Sequence, residues 1–188
     1  MNGRFFISAL LLVGLIGCAP ITLVAPEKQK IGESYSVEPR LQWNQAKNPT
    51  NVSWTIDGFD LQHLVFYATL EEGEKLATLP GPGNKLPSFD PSMRANDVME
   101  FLEETYVAGG VEGVETSNLR PANFGDRSGF RFDISMLSKD GLRYRGTAIG
   151  ALHDGTLDLI VYRGTEIYYY ERYEDEVEHI FSTIEVLS

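Results

Sequence analysis

The chain has 188 residues, 43% of them hydrophobic, enough for one domain with a substantial core, and its single cysteine leaves no internal disulfide to brace it. Its 27 acidic residues outnumber 16 basic ones, for a formal net charge of −11 with histidine neutral. Such a surface is repelled by phosphate backbones, which argues against nucleic acid as a partner, and by anionic lipid; it suits basic protein surfaces or divalent cations.

Arg4 is the only charge before residue 27, and it precedes an apolar run from Phe5 to Gly17 broken only by Ser8. That layout is a secretory signal peptide. As a helix the run would rise about 20 Å, short of the roughly 30 Å hydrocarbon core that a spanning helix crosses. It ends in Leu15-Ile16-Gly17-Cys18. These four residues resemble the lipobox of bacterial lipoproteins. The resemblance implies cleavage just before Cys18, a diacylglycerol on its thiol and a further acyl chain, such as palmitate, on the new amine. At about 0.8 kcal/mol per buried CH₂, two or more chains give a stable membrane anchor. The alternative is an incidental thiol in an uncleaved segment. In the lipoprotein pattern an Asp after the acylated Cys favours inner-membrane retention, and this chain has Ala19 there. The implied location is the cell envelope, lipid-anchored in the outer membrane and facing the periplasm of a diderm bacterium.

Removing residues 1–17, which carry one cation and no anion, takes the net charge from −11 to −12. Residues 18–32 contain Pro20, Pro26 and the polar run Glu27 to Lys30 without sustained period, and read as a flexible lipidated tether. A single domain is expected over 33–188. Ser34 to Leu41, Val52 to Asp57 and His63 to Leu70 read as strands, the last apolar on both alternating sides and so central. A Gly- and Pro-rich loop follows from Leu79 to Pro91. Val98, Phe101, Leu102 and Tyr106 then fall at helical spacing, predicting a helix over Ala95 to Ala108, capped by Asn96 or Ser92 and stopped by Gly109-Gly110. Val114 to Phe124, Gly129 to Leu137, Leu142 to Leu152 and Thr156 to Tyr162 form an antiparallel meander, with Asp140-Gly141 and Asp154-Gly155 as hairpin signals. Tyr173, Val177, Ile180, Phe181 and Ile184 make the apolar stripe of a closing helix, with Glu174, Asp175, Glu176 and Glu178 mostly outward.

Runs of strands with helices laid on them give an α+β class, an antiparallel β-sheet with helices packed on it. The opening strand Tyr35 to Pro39 with Trp43, the antiparallel stretch Phe130 to Arg163 and the aromatic-rich closing helix resemble the Mog1/PsbP-like α/β/α sandwich. That fold is associated with noncatalytic binding and assembly roles, including a photosystem subunit and a small-GTPase binder. The resemblance therefore implies a binding module rather than an enzyme.

The chemistry points the same way. His63, His153 and His179 fall on separate elements, with no two-His spacing on one helix face of the kind zinc needs. His153-Asp154 has no Gly-x-Ser-x-Gly nucleophile to serve. An acylated Cys18 has no thiolate. Leu79 to Asn84 lacks the Gly-Lys-Ser/Thr ending of a phosphate loop. Glu171, Glu174, Asp175, Glu176 and Glu178 lack the pattern of a calcium loop and read as a solvated helix face. Trp43 and Trp54 read as core. No catalytic, cofactor or metal residues are assigned. Tyr168, Tyr169, Tyr170 and Tyr173 are the candidate partner surface, since tyrosine gives large contact area at small entropic cost. Alternatively they roof the sheet with their hydroxyls reaching water. The expectation is a noncatalytic envelope lipoprotein that binds a periplasmic protein. A small-molecule or metal binder, or a periplasmic hydrolase, is the alternative.

Overall fold

The computed structural model describes residues 21–78 and 85–187. The expected signal peptide, Cys18 and the Leu79 to Asn84 loop lie outside the described residues. The chain forms β1 (Thr22–Val24), β2 (Gln29–Ile31), β3 (Tyr35–Val37), β4 (Trp43–Lys47), β5 (Val52–Thr55), β6 (Gln62–Leu70), α1 (Ala95–Ala108), β7 (Glu112–Phe124), β8 (Arg127–Leu137), β9 (Arg143–His153), β10 (Thr156–Thr165), α2 (Tyr169–Ser182) and β11 (Glu185–Val186). Eight strands make one antiparallel sheet in the order β1-β4-β5-β6-β10-β9-β8-β7, and β11-β3-β2 make a second, smaller one.

Alternation along the central β6 sets the layers. Val65 and Tyr67 face α1, where Val98, Phe101 and Leu102 pack on Phe130, Phe132, Ile134, Leu159 and Val161. Leu64 and Phe66 face the other way, toward Tyr173, Val177, Ile180 and Phe181 of α2, with Trp43, Trp54, Ile160 and Tyr162. The helices thus lie on opposite faces, as expected of an α/β/α sandwich, and the small sheet joins α2 on its face through Ile31, Tyr35 and Val37. At about 1.5–3 kcal/mol per fully buried large side chain, four such residues on α2 outweigh the weak helix propensity of its tyrosines.

Four local expectations are corrected. First, the 18–32 segment is not a free tether from end to end: β1 pairs with β4 and β2 with β3, so the chain is already part of the sheets at Thr22. Short strands with few apolar residues gain stability only from neighbours far along the chain, which local periodicity does not register. Second, Ser34 to Leu41 is not one strand. It is β3 followed by a turn at Pro39 to Leu41, whose Arg40 and Leu41 N–H groups donate to Glu176 Oε1 at 2.8 and 3.0 Å. Third, Glu176 is therefore buried, not outward; it sits three residues after Tyr173, on the inward stripe itself. Fourth, neither Asn96 nor Ser92 caps α1. Arg94 is the N-cap, and its N–H donates to Asp97 Oδ2 at 2.8 Å, while Ser92 Oγ donates to Asp90. The stop is as expected: Gly110 takes φ +83°, with Val111 N–H donating to Tyr106 O and Gly110 N–H to Val107 O.

The β9–β10 hairpin closes through Asp154 and Gly155, both at positive φ (+49° and +78°), which is the primed turn that Asp-Gly predicts. Where β10 meets α2, Gly164 allows a close approach: a Cβ there would lie 2.8 Å from Tyr170 N.

Candidate functional site

At the end of β10 the chain turns through Glu166, Ile167 and Tyr168 into α2. Glu166 N–H donates to Arg143 O at 2.9 Å, which fixes the base of the turn, and Tyr168 takes φ 141°, ψ −57°, a conformation L-residues rarely adopt. Ile167 is 84% exposed and Tyr168 56%. The Tyr168 ring stands edge-on to Tyr169 at 5.0 Å, its hydroxyl accepts from Arg172, and the Arg172 guanidinium lies 5.2 Å from its centre.

The four tyrosines therefore divide. Tyr170 and Tyr173 are buried in the core, so they roof the sheet and do not form a surface; Tyr169 is half-buried, and Tyr168 alone is open to a partner. The reason is helical phase. Tyr170 and Tyr173 share a stripe with Val177, whereas Tyr168 precedes the first turn. The Tyr173 hydroxyl donates to Asp57 and accepts from Arg172 Nε at 3.1 Å; burial first, then Asp57, raises its pKa. Burial likewise raises Tyr170, aided by Glu174.

Beside α2, β7 and β8 turn Ser117, Arg120, Arg131 and Asp133 to the α2 face. A groove of about 420 Å³ is lined by Ser117, Arg120, Arg131, Asp133, Arg145, Glu166, Tyr170 and Glu174. Arg120 pairs with Asp133 at 3.0 Å. Arg131 grips Glu178 with both terminal nitrogens, the Nη1–Oε2 distance being 2.8 Å, and lies 5.3 Å from the Phe181 ring centre. Arg145 stacks on Tyr170 at 4.4 Å and reaches Glu171 at 3.6 Å. A second recess of about 240 Å³ continues it through Ser135 and Glu166 to Arg143 and Tyr144. The arginines at alternating positions in the meander were the available signal for this groove; the tyrosine run drew the sequence reading away from them. A wider recess of about 690 Å³ lies between α1 and residues 85–87.

At the opposite end of the sheet, Asp158 is fully buried and accepts four contacts: Ser34 Oγ (2.6 Å) and Arg127 Nη1 (2.7 Å) on Oδ2, Thr69 N–H (2.8 Å) on Oδ1, and a 2.8 Å approach of His153 Nε2 to Oδ2. Sequence adjacency suggested Asp154 as the neighbour of His153, yet its nearest oxygen is 3.8 Å from Nδ1. His153 pairs with Thr156 across the hairpin, so Asp158 is its diagonal neighbour on the same face. Serine, histidine and aspartate meet here, but Ser34 bonds the carboxylate, whereas in a hydrolytic triad the imidazole stands between nucleophile and carboxylate. The cluster clasps the small sheet to the large one.

His63 Nδ1 lies 2.7 Å from Phe59 O and its Nε2 accepts from Arg163 Nε at 3.0 Å, fixing a neutral tautomer; burial first, then Arg163, lowers its pKa to about 3. His179 sits near the end of α2, apart from both other histidines. Trp43 and Trp54 are fully buried. Among the described residues, no three of His, Cys, Asp and Glu are grouped to hold a metal ion, and no helix is long and apolar enough to cross a membrane.

Against known structures, the chain superposes on the solution structure of cyanobacterial PsbP (CyanoP) from Synechocystis sp. PCC 6803 with a TM-score of 0.56, covering 92% of this chain and 96% of that one at 13% identity. This is a PsbP-like fold. No protein-family model matches the sequence, and no curated protein matches it. At 13% identity the likeness speaks for the fold alone. In the PsbP-like domain, Ile167, Tyr168 and the arginine-lined groove are the exposed features that sit together at one end of the sheet.

Proposed function

We propose that this chain is a noncatalytic, membrane-anchored lipoprotein of the cell envelope whose PsbP-like domain binds another protein in the periplasm. The fold is compatible with a noncatalytic protein-interaction module. The observation that carries the binding reading is the exposed Ile167–Tyr168 pair, with Tyr168 in an unusual backbone conformation, beside a groove of arginines and carboxylates that Glu166 helps to line. An apolar anchor with a charged rim is the usual anatomy of a protein interface. The Leu15 to Cys18 run supports acylation of Cys18, and Ala19 supports the outer membrane.

Two measurements test this. Intact mass of the membrane-extracted protein is expected to equal residues 18–188 plus acyl chains, and Cys18→Ala to lose them; an unmodified chain retaining Met1 would remove the anchor. A photo-crosslinking benzoylphenylalanine at position 168 is expected to capture a discrete envelope protein that the same probe at the exposed Asp126 does not. Identical products from both positions would sink the binding surface.

A further inference from the structure

β1 begins only four residues after Cys18. At a maximum of about 3.5 Å per extended residue, Cys18 lies within about 14 Å of the sheet edge. The ten-residue β10 spans roughly 30 Å, so a domain held by acylated Cys18 cannot swing clear of the surface its acyl chains enter.

The edge that meets that surface is apolar. Ile21 is 63% exposed and Leu23 69% exposed, and residues 21–26 carry no charge. In the register with β4, Val24 pairs with Trp43 and turns inward, so alternation sends Leu23 to the open side. Edge strands in solution are normally guarded by charge or covered; β1 has neither among the described residues. Lys47 lies two residues beyond Gln45, the partner of Thr22, on the side where the chain enters, and makes no ion pair among the described residues. The chain's net charge of −11 disfavours anionic lipid.

We propose that the β1 edge is a membrane-contact surface, with Ile21 and Leu23 entering the interface of a zwitterionic bilayer and Lys47 meeting its phosphates. This rests on the acylation of Cys18 proposed above. The contact gives the domain one orientation. Thr22 lies level with Tyr162 through Gln45, Trp54 and Leu64, so the Ile167–Tyr168 turn is set back from the contact by the four strand spacings from β1 to β10, about 19 Å.

The test uses the full-length acylated protein in phosphatidylcholine vesicles, with a nitroxide on Leu23→Cys, Ile21→Cys or Ile167→Cys, Cys18 being blocked by its lipid. The ratio of oxygen to nickel-chelate accessibility is expected to be severalfold higher at 21 and 23 than at 167. Equal ratios, with acyl chains present by mass, overturn the membrane contact and leave the lipoprotein standing. Dipolar broadening at 23 shows a second copy on the edge and also overturns it. A mass without acyl chains removes the lipoprotein reading and the contact with it.

Discussion

Arg127–Asp158 and Arg131–Glu178 are both arginine–carboxylate pairs on the α2 face of the same sheet, and both arginines are mostly covered, with 25% and 19% of their side chains exposed. The carboxylates differ: Asp158 is 0% exposed and Glu178 44%. Asp158 also holds Ser34 and the Thr69 N–H, at a point where β6 leaves its register with β10. Glu178 holds only Arg131, and water can take its place. The same chemistry is thus structural at Asp158 and exchangeable at Glu178, and burial of the anion makes the difference.

Asp158→Ala strands a covered guanidinium and frees the small sheet, and is expected to cost about 3–5 kcal/mol in chemical denaturation. A loss below 1 kcal/mol would mean that the cluster does not hold the sheets together. Arg163 extends the comparison to a cation facing a neutral base. The folded-state pKa of His63, about 3, lies below the ordinary 6.5, so below pH 6.5 the unfolded chain takes a proton that the native one refuses. Stability should fall as pH drops from about 6.5 toward 3, with a slope approaching 1.4 kcal/mol per pH unit from this group. Denaturation curves of His63→Asn should lack that slope; an unchanged slope would place the acid sensitivity elsewhere. Glu178→Ala is expected to cost about 0.5–1 kcal/mol, because Arg131 keeps Thr147 and the Phe181 ring. A cost near that of Asp158→Ala would erase the distinction between the pairs. Tyr168→Ala should stay within about 0.5 kcal/mol of the parent in melting experiments while abolishing the crosslink from a probe at Ile167. A large stability loss would make Tyr168 a packing residue.

Periodicity located α1, the meander and the sandwich, because each of those elements has an apolar pattern of its own. It misread β1 and β2, which are short and nearly patternless, and Glu176, where a carboxylate occupies a core position because backbone N–H groups from residues 40 and 41 complete it. The tyrosine run was visible as a cluster, but its division into two core residues, one half-buried and one exposed depended on where the first turn of α2 begins. The arginine groove was scattered over β7, β8 and β9, and only strand pairing gathers it.

By itself the sequence determined the α+β class, the two helices and the hairpin at Asp154-Gly155, since helical and strand periods and a left-handed turn are set by residues within a few positions of one another. The tertiary structure alone decided that Asp158 is the hub between the sheets, that Tyr168 and Ile167 are exposed, and that Thr22–Val24 and Gln29–Ile31 are paired strands. Each of these depends on burial and on partners tens of residues away, and a local pattern carries neither.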